Sequence, residues 1–132
     1  MNFHKTTSYS LSVLSFMARN KTERLSANYL HEKLNIPYSY LRRVLGDLSK
    51  KGFISSTAGR SGGFMFSAEI KSIYLSDIIQ ATEGLESFDM CLMGFTECPF
   101  EGKCPMHSVW ERSRSEILSA LQNTSLADLL KE

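Results

Sequence analysis

No stretch of this chain offers about 18 consecutive uncharged apolar residues, the length that crosses a bilayer, so no membrane-spanning helix and no membrane partner are expected. The opening residues, Met1 to Lys5, lack the basic segment and long apolar core of a secretory signal. No internal repeat or low-complexity tract interrupts a length that suits one domain, or a small domain with an added assembly helix. Catalytic patterns are missing too. There is no Ser-His-Asp or paired-carboxylate arrangement, and His4 and His31 have no evident catalytic partners. The chain is therefore not expected to be an enzyme or to take a small-molecule substrate, with a small metal-dependent hydrolase as the remote alternative. Cysteine is scarce: three in 132 residues, an odd count that argues against a disulfide framework. Unpaired thiols belong in a reducing compartment, and the cytoplasm is the expected location.

What little cysteine there is lies close together. Cys91, Cys98 and Cys104 are followed by His107, all four within 17 residues and spaced C-x6-C-x5-C-x2-H. Three thiolates and an imidazole form a complete ligand set for zinc or for an iron–sulfur cluster. The segment from Leu85 to Lys103 contains Gly94, Pro99 and Gly102 and reads mostly as loop. Pro105 suits the first position of a helix, which makes Cys104 the expected N-cap. Exposed amides and the positive end of the helix dipole there favour a thiolate.

A net charge of +1 conceals a polarity. Residues 1–71 carry eleven Lys/Arg against four Asp/Glu, and residues 72–132 carry four against ten, so +7 is set against −6. A basic half suits phosphate contact and an acidic half is repelled by the same polyanion; two unevenly solvated surfaces are the alternative.

The basic half has the periodicity of a helix-turn-helix. Thr6 or Thr7 is expected to cap a first helix to about Asn20, with Tyr9, Val13, Phe16 and Met17 on one face. The polar stretch Asn20–Arg24 breaks that pattern. Ser26 is expected to cap a short second helix with Leu30 and Leu34 inward. After Pro37 a third helix places Leu41, Val44, Leu45 and Leu48 on one stripe, with Gly52 ending it in a left-handed conformation. Its opposite face carries Ser39, Arg42, Arg43, Gly46 and Lys50. Such a face can enter a major groove, the arginines reaching guanine edges or phosphates and Gly46 permitting close approach; a solvated basic face is the alternative. Phe53–Ser56 and Phe64–Phe66 read as two short strands of a wing whose glycine-rich tip carries Arg60, suited to phosphate or the minor groove. A phosphate-cradling nucleotide loop does not fit these glycines, because the Lys-Ser/Thr pair and the following helix are missing.

In the acidic half, Ser76 is expected to cap a short helix ended by Gly84. The helix from Pro105 to about Gln122 carries Val109, Trp110, Ile117, Leu118 and Leu121 as an apolar stripe. In a monomer that stripe stays exposed, and pairing with a second copy covers it; packing back on its own domain is the alternative. Ser125 with Asp128 is expected to open a terminal helix through Leu126, Leu129 and Leu130.

Taken together, Tyr38-Ser39-Tyr40-Leu41, Leu48 through Ile54, the wing run Gly59 to Phe64, the three cysteines, Cys104 through Trp110 and Asn123 through Leu129 resemble the Rrf-two-type family of bacterial winged-helix regulators, the IscR/NsrR-like iron–sulfur regulators. The resemblance covers nearly the whole length. It implies a mainly α fold with a small β-hairpin wing: a winged helix-turn-helix over residues 1–84, a cluster-binding loop over 85–104, and a dimerisation helix with a C-terminal helix over 105–132. It further implies a homodimer on palindromic operator DNA, usually a repressor, controlled by a cluster that senses redox state, iron–sulfur status or nitric oxide. Cys91, Cys98, Cys104 and His107 would be the ligands. A carboxylate ligand of one branch corresponds to Ser8 here, which favours a histidine-ligated [2Fe-2S] arrangement over [4Fe-4S]. Tyr38, Ser39, Tyr40, Arg42, Arg43, Lys50 and Arg60 form the expected DNA-contact set. An acidic base-reading residue of the family falls on Arg42 and a wing arginine on Ala58, so the operator is expected to differ. Structural zinc, or a cluster-free cysteine thiol sensor, is the alternative.

Overall fold

In a computed structural model that describes residues 3–20 and 23–131, five helices and one hairpin follow in order. They are α1 (Lys5–Arg19), α2 (Ala27–Leu34), α3 (Tyr38–Lys50), β1 (Ile54–Thr57), β2 (Gly63–Phe66), α4 (Leu75–Thr82) and α5 (Pro105–Asn123). Single 3-10 turns occupy Ile70–Ser72, Glu86–Asp89 and Asp128–Leu130. The fold is mainly helical with a wing, as expected. Lys21 and Thr22, in the stretch expected to break the first helix, lie outside the described residues.

The core gathers one stripe from each of the first three helices. Val13, Leu14 and Met17 of α1, Leu30 of α2, and Leu41, Val44, Leu45 and Leu48 of α3 are buried together with Ile54, Ile73 and Ile78. Ser26 caps α2 by accepting the Tyr29 N–H at 3.1 Å. Asn35 closes α2 with a left-handed φ of 58°. The short turn to α3 is held by the His31 Nδ1–H, which donates to the Ile36 carbonyl at 2.6 Å. Gly52, at φ 87°, ends α3.

In the wing, β1 and β2 pair antiparallel, Ile54 opposite Phe66 and Thr57 opposite Gly63. A third strand contact arrives from before α2: Leu25 and Phe64 exchange backbone hydrogen bonds of 3.1 and 2.8 Å. A Cβ on Gly63 would stand 2.8 Å from the Leu25 carbonyl oxygen, so only glycine lets the two backbones approach. The tip turns through Gly59 at φ 101°.

Two expected caps are corrected. Thr6 and Thr7 lie inside α1, because their hydroxyls are spent on other helices: Thr6 shares a 2.6 Å hydrogen bond with Tyr40, and buried Thr7 one of 2.7 Å with Thr82. The helix starts after His4, whose N–H donates to the Glu83 carboxylate at 2.8 Å. Ser76 is likewise buried inside α4, which starts two residues earlier than a Ser76 cap requires. Tyr74 is extended there and pairs with Ser125, and its N–H donates to Asp77 at 2.9 Å.

The expected C-terminal helix is a single 3-10 turn. The Ser125–Asp128 pairing is present, with bonds of 2.9 and 3.1 Å, yet no helix propagates from it. The backbone is committed elsewhere: Leu75 N–H donates to the Thr124 carbonyl, Leu126 N–H to Ile73 and Ala127 N–H to Ile70. Leu126 itself is fully buried in the core. The Ser125 backbone N–H, helped by Lys131, holds the Asp128 carboxyl below the usual carboxylate range. That contribution is complete at neutral pH and is lost only as pH falls through the lowered value. Leu126→Ala is expected to lower stability by about 2–5 kcal/mol in chemical denaturation, because it empties a core site filled from the far end of the chain.

Candidate functional site

Helix α3 presents a polar face because its apolar side is wholly consumed by the core. Ser39, Arg42, Arg43, Gly46 and Lys50 are all exposed. Around the missing side chain of Gly46 no atom lies within 4 Å. The two tyrosines of the expected set divide their roles. Tyr38 is exposed and meets the His31 ring edge-on at 5.7 Å between centroids. Tyr40 is half-buried, edge-on to Tyr9 at 5.1 Å, with its hydroxyl on Thr6. It therefore braces α3 against α1, and the Arg43 guanidinium lies 5.6 Å over its ring. Arg60 is exposed at the wing tip.

The second constellation begins where α4 ends. Gly84, at φ 84°, turns the chain, and its N–H donates to the Ile79 carbonyl at 2.9 Å. The three cysteines that follow share one local pattern. The carbonyl of each accepts the N–H three residues on: Cys91 from Gly94 at 2.9 Å, Cys98 from Glu101 at 3.3 Å and Cys104 from His107 at 3.0 Å. Each cysteine thus opens a tight turn. Gly94 (φ 84°), Glu101 (φ 54°) and Gly102 (φ 76°) supply the left-handed positions. The Gly102 N–H also points at the Cys98 sulfur, 3.4 Å away, the kind of N–H···S contact that surrounds ligated thiolates.

Cys91, Cys98, Cys104 and His107 all line a single cavity of about 480 Å³. The remaining wall is largely apolar: Met90, Met93, Phe95, Met106 and Trp110 contribute to it. Helix α5 begins at Pro105 with Cys104 at its cap, so the last two donors share one helix end. In kind and number these donors fit an iron–sulfur cluster or a zinc ion. Among the described residues no three His, Cys, Asp or Glu groups are drawn together at metal-holding distances. The His107 Nε2 lies 3.6 Å from the Glu111 carboxylate.

Helix α5 buries none of its residues completely. Trp110, Leu118 and Leu121 are half-buried on its inner side, whereas Ile117 is exposed. Val109 lies half a turn round from Leu118 and is exposed, so the expected stripe divides between two faces. Exposed Met90, Leu92, Met93, Phe95, Phe100, Met106, Val109 and Ile117 extend along the loop and the helix.

The sequence placed Trp110 in the apolar stripe and gave no role to Arg114; the bonds by which both hold the loop were overlooked. Trp110 Nε1–H donates to the Met90 carbonyl at 2.7 Å, and Arg114 to the Phe88 carbonyl at 2.8 Å. The available signal was spacing: Trp110 and Arg114 follow His107 at i+3 and i+7 on one helix face. Glu83, 5% exposed at its side chain, was also overlooked, and nothing local marks it.

Comparison with known proteins agrees with this architecture. The Rrf2 family model, described as an iron-dependent transcriptional regulator, matches residues 3–132. A protein of Aquifex aeolicus named as an HTH-type transcriptional regulator is 30% identical over 132 residues, spanning 98% of this chain and 92% of that one. The HTH-type transcriptional regulator IscR of Vibrio campbellii is 29% identical over 103 residues; the match spans 78% of this chain and 61% of that longer protein. The structure of CymR (YrzC), the global cysteine regulator of B. subtilis, superposes with a TM-score of 0.79 at 25% identity, covering 98% of this chain and 95% of that one. The chain belongs to the Rrf2 family of winged-helix transcriptional regulators, which are DNA-binding proteins and not enzymes.

Proposed function

We propose that this regulator acts in the cytoplasm as a homodimer on palindromic operator DNA, as a repressor, with its grip on DNA controlled by an iron–sulfur cluster held by Cys91, Cys98, Cys104 and His107. The observation that carries this reading is the convergence of all four donors on one cavity directly beside the helix that leaves the DNA-binding unit. Residues 1–84 form the reading head, 85–104 the ligand loop, and 105–132 the assembly helix and its return to the core. One histidine among the donors, with Ser8 where a carboxylate would stand, favours [2Fe-2S] over [4Fe-4S]. Such a cluster, when bound, supplies sensitivity to oxidation, iron–sulfur status or nitric oxide.

The chain's own residues perform the rest. Tyr38, Ser39, Arg42, Arg43 and Lys50 face the major groove, with Tyr40 setting the angle of Arg43, and Arg60 reaches a neighbouring phosphate or the minor groove. Two copies place two such helices in successive grooves about 34–36 Å apart. The dimer forms over the exposed apolar strip of α5 and the loop, a surface too continuous to be left in water. Loop order then sets the mutual angle of the two heads, to the extent that the two arrangements hold the ligands differently.

A second reading has its own support: Cys98 is exposed and the four donors are not gathered at ligating distances, which suits a thiol sensor switched by cysteine oxidation. Structural zinc uses the same ligand set. Anaerobic purification separates the three. A coloured protein with matched iron and sulfide supports the cluster, a colourless one with stoichiometric zinc supports the ion, and a metal-free one that loses DNA on mild peroxide treatment supports the thiol sensor.

Four outcomes are expected, the first three with DNA selected in vitro by the wild-type protein as the probe. Arg43→Ala weakens binding by about 1–3 kcal/mol while the iron content stays unchanged. Wild-type affinity falls on the order of a thousandfold or more between 50 and 200 mM salt if about 6–10 phosphates are neutralised; a flat salt profile would exclude the groove model. Gly46→Ala separates fold from function. The open space at Gly46 means alanine raises stability by about 0.5–1 kcal/mol through helix propensity, yet DNA affinity drops because the groove floor meets the new methyl. Cys104→Ala removes the iron while circular dichroism stays unchanged, since the Cys104 side chain makes no capping bond to α5.

A further inference from the structure

We infer that Trp110 and Arg114 form a two-point clamp that fixes Cys91 at the wall of the cavity it shares with Cys104 and His107. The inference rests on reading Cys91 as a ligand, and it concerns residues that are not themselves ligands.

The geometry begins with two donors on one face of α5. Trp110 and Arg114 are four residues apart, about 6 Å along the axis. The indole N–H takes the Met90 carbonyl at 2.7 Å, and the guanidinium takes the Phe88 carbonyl at 2.8 Å. The earlier helix residue holds the later loop residue, so the loop runs antiparallel to the helix, towards its N-terminus. Cys91 is the next residue in that direction, and the helix end it approaches carries Cys104 and His107. The peptide unit joining Met90 to Cys91 is itself the one gripped by Trp110.

The clamp is anchored at its far side too. Phe88 is 1% exposed, so the carbonyl taken by Arg114 belongs to a residue already fixed by burial. Past Cys91 the chain is exposed from Leu92 to Lys103, and its internal backbone bonds are short turns, those described above and one from the Lys103 N–H to the Phe100 carbonyl at 2.9 Å. Of the three cysteines, Cys104 is fixed by its place at the helix cap, and Cys98 sits in the exposed loop. Cys91 depends on the clamp. Interactions that orient ligands from outside the coordination sphere typically change metal retention by about 10–100-fold.

The test uses the full chain with Trp110→Phe, which keeps the ring and removes the N–H, and Arg114→Met, which keeps length and removes the donors; Arg114→Lys restores one donor. In metal-free protein, iodoacetamide labelling followed by peptide mass spectrometry gives the alkylation rate of each cysteine. The clamp predicts that Cys91 is alkylated several-fold faster in Trp110→Phe and Arg114→Met, that Cys98 is unchanged, and that Arg114→Lys returns Cys91 towards the wild-type rate. In anaerobically loaded protein, iron release to a chelator quickens on the order of tenfold in the same two variants. Unchanged Cys91 labelling in both variants overturns the clamp, as does equal acceleration at all three cysteines, which signals general loosening. Wild-type protein that never holds iron overturns the cluster reading alone, and the labelling pattern still decides the clamp.

Discussion

A 19-residue helix that buries none of its side chains cannot stay in place on its own account, and the acidic half of this protein is arranged around that constraint. Most helical stability in proteins comes from packing an apolar face, and in α5 that face is only half covered. The helix is secured further by directional bonds and by the chain that follows it. Over its first half, Trp110 and Arg114 reach across to the Phe88–Met90 backbone. At its finish, Thr124 accepts the Leu75 N–H and Leu126 drops into the core. A helix held in this way, with Val109 and Ile117 left exposed along it, is suited to the second copy proposed above. The same ties place the cysteine loop between the anchored start of the helix and the end of α4.

The basic half follows a different rule. Its three helices share one core, so each is positioned by burial and its outward face is free to carry charge. Arg42, Arg43 and Lys50 face water because Leu41, Val44, Leu45 and Leu48 cannot. The two halves meet through α1. Thr7 bonds to Thr82 and the His4 N–H to Glu83 at the end of α4, while Thr6 and Tyr9 hold Tyr40, over which Arg43 stacks. A continuous run of contacts therefore leads from the residue before Gly84 to a cation on the reading face. Contiguity of this kind is a precondition for coupling; coupling itself requires two arrangements that the ligand loop and the DNA favour unequally.

Which parts were legible in the sequence follows from which forces act locally. The stripe of α3, the Ser26 cap, the Gly52 and Gly84 terminations and the Pro105 start were all readable, because each depends on residues within a turn of one another. The α1 start was misread because its amide is satisfied by Glu83, 79 positions away. Thr6 and Thr7, good caps by type, serve instead as interhelical bonds. The terminal segment shows the same limit: the Ser125–Asp128 box formed, but pairing of Thr124, Leu126 and Ala127 with residues 70–75 took the backbone that a helix needs. The third strand contact of the wing, at Leu25, had no periodic signal, since one residue makes it.

The candidate ligands illustrate both sides at once. Their residue types and spacing were visible, and the structure adds that each cysteine opens a turn and that all face one cavity. Invisible was what decides how far the four groups are from working together. Cys104 and His107 are linked by helix geometry and need no help. Cys91 lies thirteen positions before Cys104 with a glycine-containing loop between them, and such a loop costs little to close but fixes nothing by itself. Fixing it takes directional bonds from a rigid element, and α5 supplies them through Trp110 and Arg114. The same helix that leaves Val109 and Ile117 exposed therefore also sets the position of the first cysteine. If two copies pair over α5 as proposed, a change in how they lie against it would reach the Met90–Cys91 peptide through one indole hydrogen bond.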